Sequence, residues 1–144
     1  MAYNVYSHPD CQFTVYHPDV GTCYLHAAGV DRVVVSSAGD LTNHTTTADG
    51  YIVVNKLKTS NGEVAISVPQ NSVSDDFLRR WARWAKKSGN TNRVALGTIT
   101  IVDAASGFTT TCTGVSLKKA PDRTWDRTAT NLTYEFLAAT ITEQ

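Results

Sequence analysis

Residues 63–89, EVAISVPQNSVSDDFLRRWARWAKKSG, contain the change of hydrophobic period that decides the fold. In the first part of this stretch Val64, Ile66 and Val68 share one face of an extended chain, and such alternation predicts a strand with one face toward a core. In the second part the period becomes 3.6, with apolar side chains on one arc of a helical wheel and charges on the other. The stretch therefore predicts a strand followed by an amphipathic helix over about residues 74–88.

Both ends of the predicted helix carry terminal signals. Ser72 and Ser74 are candidate N-caps, and Ser72 with Asp75 has the spacing of a capping box. Acidic residues occupy the first turn of the predicted helix and basic residues the later turns, in agreement with the helix dipole. Gly89 provides a C-terminal stop. The apolar arc comprises Phe77, Leu78, Trp81, Ala82, Trp84 and Ala85. The basic arc comprises Arg79, Arg80, Arg83, Lys86 and Lys87. We expect the two tryptophans to anchor the core and the basic arc to face solvent or a partner.

Threonine and valine dominate the rest of the chain, with 20 and 15 copies. Both are β-branched and suit a pleated strand better than a helix. The predicted strands are residues 12–16, 22–27, 32–36, 51–57, 63–68, 95–102, 108–115 and 131–141, and the polar residues 41–47 fit either a strand or a loop. Asn61-Gly62 predicts that strands 51–57 and 63–68 form a hairpin. A polar connector that includes Lys118 and Lys119 precedes the last strand. The fold class is therefore mainly β, an antiparallel β-barrel or sandwich with one flanking amphipathic helix.

Length and charge limit the domain organisation and the function. The 144 residues predict a single domain over 1–144, and residues 1–10 have no clear period and predict an N-terminal arm. The 13 basic and 13 acidic residues balance, which argues against a dedicated nucleic-acid binder. The sequence has neither a long apolar run nor a signal pattern, so we expect no membrane insertion and maturation in the cytosol of the producing cell.

The histidines and cysteines near the N-terminus resemble metal ligands only superficially. The relevant residues are His8, Asp10, Cys11, His17, Asp19, Cys23 and His26. Their spacing fits no zinc knuckle, and no second cluster closes a site, so we expect no metal and no cofactor. The sequence contains no Gly-x-Ser-x-Gly elbow and no phosphate-binding glycine loop, and the acids at the helix start suit the helix dipole. We therefore predict that the protein is not an enzyme.

Several segments resemble the tail tube protein family of contractile-tailed bacteriophages. Gly97-Thr98-Ile99-Thr100-Ile101-Val102-Asp103 followed by Gly107, and then Lys119-Ala120-Pro121-Asp122, are similar to the family's TIKD–GTT hairpin and KPPD turn. Leu132-Thr133-Tyr134-Glu135-Phe136 is similar to its closing WTFE-like stretch. Ala48-Asp49-Gly50-Tyr51, Ser60-Asn61-Gly62-Glu63-Val64 and Ser72-Val73-Ser74-Asp75-Asp76-Phe77-Leu78 resemble segments upstream. The resemblance covers about residues 30–141; one proline stands where the family has two, and the first thirty residues match poorly.

This resemblance implies a structural virion protein whose six-fold rings stack into a hollow tail tube, the conduit for DNA ejection. It implies contacts with further copies of the chain, with a tail sheath protein, a tape measure protein in the lumen, and baseplate and terminator proteins, and only transient contact with passing DNA. It places the protein in the phage tail after assembly in the host cytoplasm. We expect the basic arc of the helix to face the sheath.

The three cysteines, Cys11, Cys23 and Cys112, leave one thiol over if any two pair within the chain. Reduced thiols are favoured in a cytosolic product. The alternative is a disulfide between neighbouring subunits, formed by Cys11 or Cys23 with Cys112 after release of the particle.

Two other kinds of function remain open at the level of the sequence. The first is a related tube initiator or terminator, or the tube of a secretion or bacteriocin-like machine. The second is a small carbohydrate-binding β-sandwich, which requires an exposed aromatic platform.

Overall fold

The computed structural model describes residues 11–87 and 93–144. Within these residues the chain forms nine strands and two helices, in the order β1 (Cys11–His17), β2 (Gly21–Tyr24), α1 (Leu25–Ala28), β3 (Arg32–Ser37), β4 (Thr42–Thr46), β5 (Ile52–Lys56), β6 (Gly62–Pro69), α2 (Val73–Ala85), β7 (Gly97–Asp103), β8 (Thr109–Lys119) and β9 (Asn131–Glu143). The predicted N-terminal arm at residues 1–10 and the glycine stop at Gly89 lie outside the described residues.

Seven of the strands form one antiparallel sheet in the order β2-β1-β7-β8-β9-β6-β3. The mainly β class and the flanking helix are therefore confirmed. The sheet is not closed into a barrel within the subunit, because β2 and β3 lie at its two ends. Strands β4 and β5 form a separate two-stranded sheet.

The core lies between one face of the large sheet and helix α2. Val64, Ile66 and Val68 are completely buried, as their alternation predicts. Trp81 is also fully buried, and its ring centroid lies 5.2 Å from that of Phe136 on β9. A further set of buried residues from the sheet completes the core: Phe13, Val15, Ile99, Cys112, Val115, Leu132, Tyr134 and Ala138.

Helix α2 begins where the sequence predicts. The Ser72 hydroxyl accepts a hydrogen bond from the Asp75 backbone N–H at 3.1 Å, which is the first half of a capping box. The Asp75 carboxylate accepts from the backbone N–H of Asn71, one residue earlier than in the usual motif. The helical residues end at Ala85, three residues before the predicted end at residue 88.

Three local predictions are wrong. Strand β6 does not form a hairpin with β5, since it pairs with β3 and β9 while β5 pairs with β4. The predicted strand 22–27 ends at Tyr24, and helix α1 follows. Lys118 and Lys119 belong to β8 and not to a connector.

Candidate assembly surfaces

The β4–β5 hairpin is a two-stranded sheet separate from the large one and has little cover from its own subunit. All five residues of β4 and four of the five in β5 are exposed. Three aliphatic side chains lie in this exposed strand, Ile52, Val53 and Val54. Exposed aliphatic residues in a row are typical of a surface that another molecule covers.

Backbone hydrogen bonds hold the base of the hairpin. The Leu57 N–H donates to the Leu41 carbonyl at 2.8 Å, and the Ala38 N–H donates to the Asn61 carbonyl at 3.0 Å. The hairpin is therefore held at the end of the sheet where β3 stops and β6 starts.

Strands β2 and β3 form the open ends of the large sheet. Within the described part of the chain, β2 pairs only with β1 and β3 pairs only with β6. On its outer side, each of these two strands therefore has backbone N–H and C=O groups that pair with no other strand of the subunit. Such an edge readily pairs with a strand of another chain.

The face of the sheet that points away from the core is rich in hydroxyl groups. The register aligns Thr14, Thr100, Thr111 and Thr142 in one row across four strands. Farther along the sheet the Ser67 and Thr133 hydroxyls lie 2.9 Å apart. Charges on this face include the pair Lys118–Glu63, whose Nζ and Oε1 atoms are 2.9 Å apart.

The basic arc of helix α2 lies on the opposite side of the subunit from this face, because the helix covers the buried side of the sheet. Arg80, Arg83, Lys86 and Lys87 are exposed, and Arg79 is half-buried. The first turn of the helix partly neutralises the arc, since Arg79 lies 3.7 Å from Asp75 and Arg80 lies 3.6 Å from Asp76. The structure thus brings the five predicted residues together on one face.

Asp75 is buried beneath this helix terminus and binds a residue far along the chain. Its carboxylate accepts two hydrogen bonds from the Arg123 guanidinium, at 2.7 and 3.3 Å, and one from the Tyr134 hydroxyl at 2.8 Å. Burial alone raises the pKa of Asp75, but the hydrogen bonds from Arg123, Asn71 and Tyr134 outweigh it and hold the pKa below its ordinary value. Burial and the neighbouring Asp75 carboxylate raise the pKa of Tyr134 to about 12.

The Arg123 contact fixes the segment between β8 and β9, residues 120–130, which we call the 120–130 loop. Gln70 adds two weaker contacts, from its Nε2 to the Thr124 carbonyl at 3.4 Å and from the Thr130 N–H to its Oε1 at 3.5 Å. Trp125 lies between these contacts, and its side chain is 81% exposed. A large, solvent-exposed aromatic side chain on a loop that hydrogen bonds hold in place is a candidate binding residue.

Two of the histidines that resembled metal ligands take part in local contacts, and His8 and Asp10 lie outside the described residues. His17 is buried, and its Nδ1 accepts from the Asp19 N–H while its Nε2 donates to the Arg93 carbonyl at 3.0 Å. Arg93 also binds the Asp19 carboxylate through two nitrogens. His26 Nδ1 lies 3.3 Å from the Phe13 nitrogen. In the ranges 11–87 and 93–144, no three His, Cys, Asp or Glu side chains converge as metal ligands would.

All three cysteines are buried and reduced. Cys11 and Cys23 lie on the paired strands β1 and β2, and Cys112 lies on β8. Burial raises the pKa of Cys23 and of Cys112, which lowers the fraction of reactive thiolate. The inter-subunit disulfide stays a prediction.

The family profile of the bacteriophage PhiTE tail tube protein matches residues 3–144. The chain belongs to the bacteriophage PhiTE tail tube protein family. The tail tube protein is therefore a structural, non-enzymatic component of the virion tail. No helix in its described residues is long and apolar enough to cross a membrane.

Several solved structures of contractile machines share the fold of the tail tube protein. A chain of the PVC sheath-tube complex, an extracellular contractile injection system in its extended state, is 12% identical with a TM-score of 0.64, and the match covers 97% of the tail tube protein and 91% of that chain. A chain of the anti-feeding prophage baseplate is 9% identical with a TM-score of 0.68, over 100% and 97% of the two chains. A chain of the anti-feeding prophage tube terminating cap is 10% identical with a TM-score of 0.64, over 100% and 93%. Comparison with curated proteins gives no match.

Sequence reasoning missed the Asp75–Arg123–Tyr134 cluster and the exposure of the hairpin. A signal existed for Tyr134, because Leu132, Tyr134 and Phe136 alternate with more polar residues in the sequence, and a buried tyrosine hydroxyl needs a polar partner. Arg123 gave no signal, since it is 48 residues from Asp75 in the chain. The hairpin was missed because β5 was assigned to the large sheet.

Proposed function

We propose that the tail tube protein forms six-fold rings that stack into a hollow tube, through which DNA passes during ejection into the host. The observation that carries this proposal is the open sheet with its two one-sided edge strands, β2 and β3. Joining the sheets of neighbouring subunits around a ring pairs these edges and removes a site of uncontrolled aggregation. Repeated contacts of this kind form a closed ring when the rotations from one subunit to the next add up to a full turn.

The β4–β5 hairpin supports the stacking of these rings. Its exposed aliphatic residues belong to the segment that joins Ser37 to Gly62 at one end of the sheet, and we assign them to the contact with the next ring. Burial of this apolar surface between rings favours stacking by about 25 cal/mol per Å².

The hydroxyl-rich face of the sheet suits the wall of a DNA channel. Each lysine or arginine that contacts a phosphate adds affinity through counterion release and would slow the passage of DNA. The row Thr14, Thr100, Thr111 and Thr142 offers uncharged hydroxyls instead. If this face lines the lumen, the basic arc of α2 points outward, where it contacts the surrounding sheath.

The remaining partners follow from the same assembly: a tape measure protein in the lumen, and baseplate and terminator proteins at the two tube ends. Assembly takes place in the host cytoplasm. An oxidative link between Cys11 or Cys23 and Cys112 of a neighbour requires these buried thiols to become accessible in the tube. Non-reducing electrophoresis of purified particles tests it, and a pattern of monomers alone would count against the link.

Negative-stain electron microscopy of the purified protein at rising concentration tests the proposed function. We expect hollow tubes or stacked rings, with six-fold symmetry in end views. Compact particles without a central channel, or rings of another symmetry, would contradict it.

A further inference from the structure

The hairpin and the 120–130 loop lie at opposite ends of the subunit. The hairpin joins Ser37 of β3 to Gly62 of β6, and these two residues are paired in the register. The 120–130 loop leads into Asn131, which pairs with Pro69 at the other end of β6. At about 3.3 Å per residue, the strand between them separates the two ends by roughly 23 Å. In a head-to-tail stack, the hairpin end of one copy therefore meets the loop end of the next.

The 120–130 loop presents Trp125 in a fixed position. Arg123 binds the buried Asp75 and lies 2.9 Å from the Tyr134 hydroxyl, so two residues before the tryptophan the chain is held to the core. Gln70 contacts Thr124 and Thr130 on either side of Trp125. A residue that is ordered before binding loses less conformational freedom when a partner covers it.

One face of the hairpin offers a matching apolar surface. Ile52 and Val54 point to the same side of β5, and their side chains are 57% and 60% exposed. On the other side Asn55 donates hydrogen bonds to Asn43 and to Thr45, both at 2.9 Å, so these polar groups are already paired. The face with Ile52 and Val54 is therefore the better one for covering a tryptophan ring.

We propose that Trp125 of one copy packs against Ile52 and Val54 in the hairpin of the next copy along the tube. This inference rests on the proposed function and names the receiving site of the stacking contact. The contact is heterologous, because the 120–130 loop of one copy meets the hairpin of the next. Contacts of this kind can repeat along an open stack. Asp75, Arg123 and Tyr134 act as positioning residues that hold the loop.

Two exposed substitutions test the contact, each with a matched control. Trp125→Ala removes the ring, and Tyr16→Ala removes another exposed aromatic, on the sheet face that points away from the core. Val54→Asp places a charge on the proposed contact face, and Val53→Asp places the same charge on the opposite face of the same strand. We expect Trp125→Ala and Val54→Asp to raise the protein concentration needed for tube formation by about thirty-fold or more, the size of a hot-spot loss, and the controls to stay near wild type. Circular dichroism checks that all four variants keep their fold.

Mixing the two defective variants gives a sharper test. Trp125→Ala subunits keep an intact hairpin, and Val54→Asp subunits keep an intact tryptophan, so each can form one half of the contact. After separate preparation and mixing, sedimentation velocity should show particles of twice the mass of either variant alone and no long tubes. Failure to associate on mixing would overturn the inference, as would tube formation by Trp125→Ala at the wild-type concentration.

Tryptophan fluorescence of the wild type separates this inference from the proposed function. Trp81 is buried and Trp84 is partly buried, so a blue shift on assembly that a Trp84→Phe variant retains reports on Trp125. Tubes with the blue shift support both proposals, and tubes whose emission matches that of the free subunit overturn only the Trp125 contact. A wild-type protein that forms neither rings nor tubes overturns the proposed function and the contact with it.

Discussion

Asp75 serves two structural purposes at the start of helix α2. As an acid in the first turn it complements the helix dipole, and as a buried carboxylate it binds Arg123 and Tyr134. The first purpose is visible in the sequence, because an acid three residues after Ser72 is a known terminal pattern. The second depends on two residues that only the tertiary fold brings close, so a local pattern could not predict it.

We expect Asp75→Asn to lower the free energy of unfolding at neutral pH by about 3 kcal/mol, because it leaves the Arg123 guanidinium without its counter-charge. The pKa of Asp75 is lowered in the fold, so its contribution is present above the ordinary value of 3.8 and is lost as the pH falls through the lower, folded value. The wild type should therefore lose stability in acid more steeply than the variant. Urea unfolding between pH 2 and pH 7 measures this.

The control is Asp76→Asn, which removes the same charge from the neighbouring, exposed position. It should cost well under about 1 kcal/mol, since exposed ion pairs contribute little. Equal losses for the two variants would show that the helix dipole, and not the contact with Arg123, accounts for the effect of Asp75.

Tyr134 should make the protein sensitive to alkali. Its pKa is raised from 10.0 to about 12, so the neutral hydroxyl favours the fold below pH 10 and this contribution is lost as the pH rises toward 12. Tyr134→Phe should cost about 1 kcal/mol at pH 8 for the lost hydrogen bond and should weaken the decline in stability above pH 10. Unfolding by urea at pH 8 to 11 checks this, with the exposed Tyr51→Phe as control. Parallel pH profiles for wild type and Tyr134→Phe would refute the assignment.

At the scale of elements, alternation proved more reliable than turn signals. The faces of β6 and β9 follow from the alternation of apolar side chains, and Val64, Tyr134 and Phe136 are buried accordingly. The Asn61-Gly62 pair predicted the wrong strand partner, because β6 forms long ladders with β3 and β9. Pairing with β3 and β9 places the apolar side chains of β6 in the core, and this burial outweighs the preference of Asn61-Gly62 for a tight hairpin turn.

Gly97 sets the approach of β7 to helix α2. A Cβ atom at this position would lie 2.5 Å from Cη2 of the buried Trp81 and 2.8 Å from the Val115 carbonyl oxygen. We expect Gly97→Ala to destabilise the protein by about 1–3 kcal/mol, the usual cost of overpacking a core. Thermal unfolding followed by circular dichroism measures the loss. The double variant with Trp81→Phe should recover part of it, and no recovery would show that the backbone contact with Val115 dominates.

At the scale of the whole molecule, the sequence predicts the class of fold but not the shape of the sheet. Strand positions, the single amphipathic helix and its N-cap follow from local patterns. The order of the strands and the separate β4–β5 hairpin depend on pairings between residues far apart in the chain. Local patterns in one sequence do not specify these pairings. The open ends of the sheet are therefore a property that only the fold reveals.

The opposed faces of the subunit lead to a prediction about the sheath. Helix α2 covers the buried side of the sheet, so its basic arc and the hydroxyl-rich sheet face point in opposite directions. The double variant Arg83→Glu/Lys87→Glu reverses two exposed charges near the C-terminal end of the helix, at a cost in stability of about 1 kcal/mol per charge or less. We expect this variant to form tubes like the wild type and to lose binding to the sheath protein of the same phage in cosedimentation.

The charge-conserving variant Arg83→Lys/Lys87→Arg serves as its control, and it should form tubes and bind the sheath. Because exposed charges are screened by salt, sheath binding by the wild type should also weaken as ionic strength rises from 0.05 to 0.5 M, an interval over which the Debye length falls from about 14 to about 4 Å. If the reversed variant no longer forms tubes, the basic arc belongs to the contact between subunits and not to the outer surface. If it forms tubes and still binds the sheath, another part of the tube surface provides that contact.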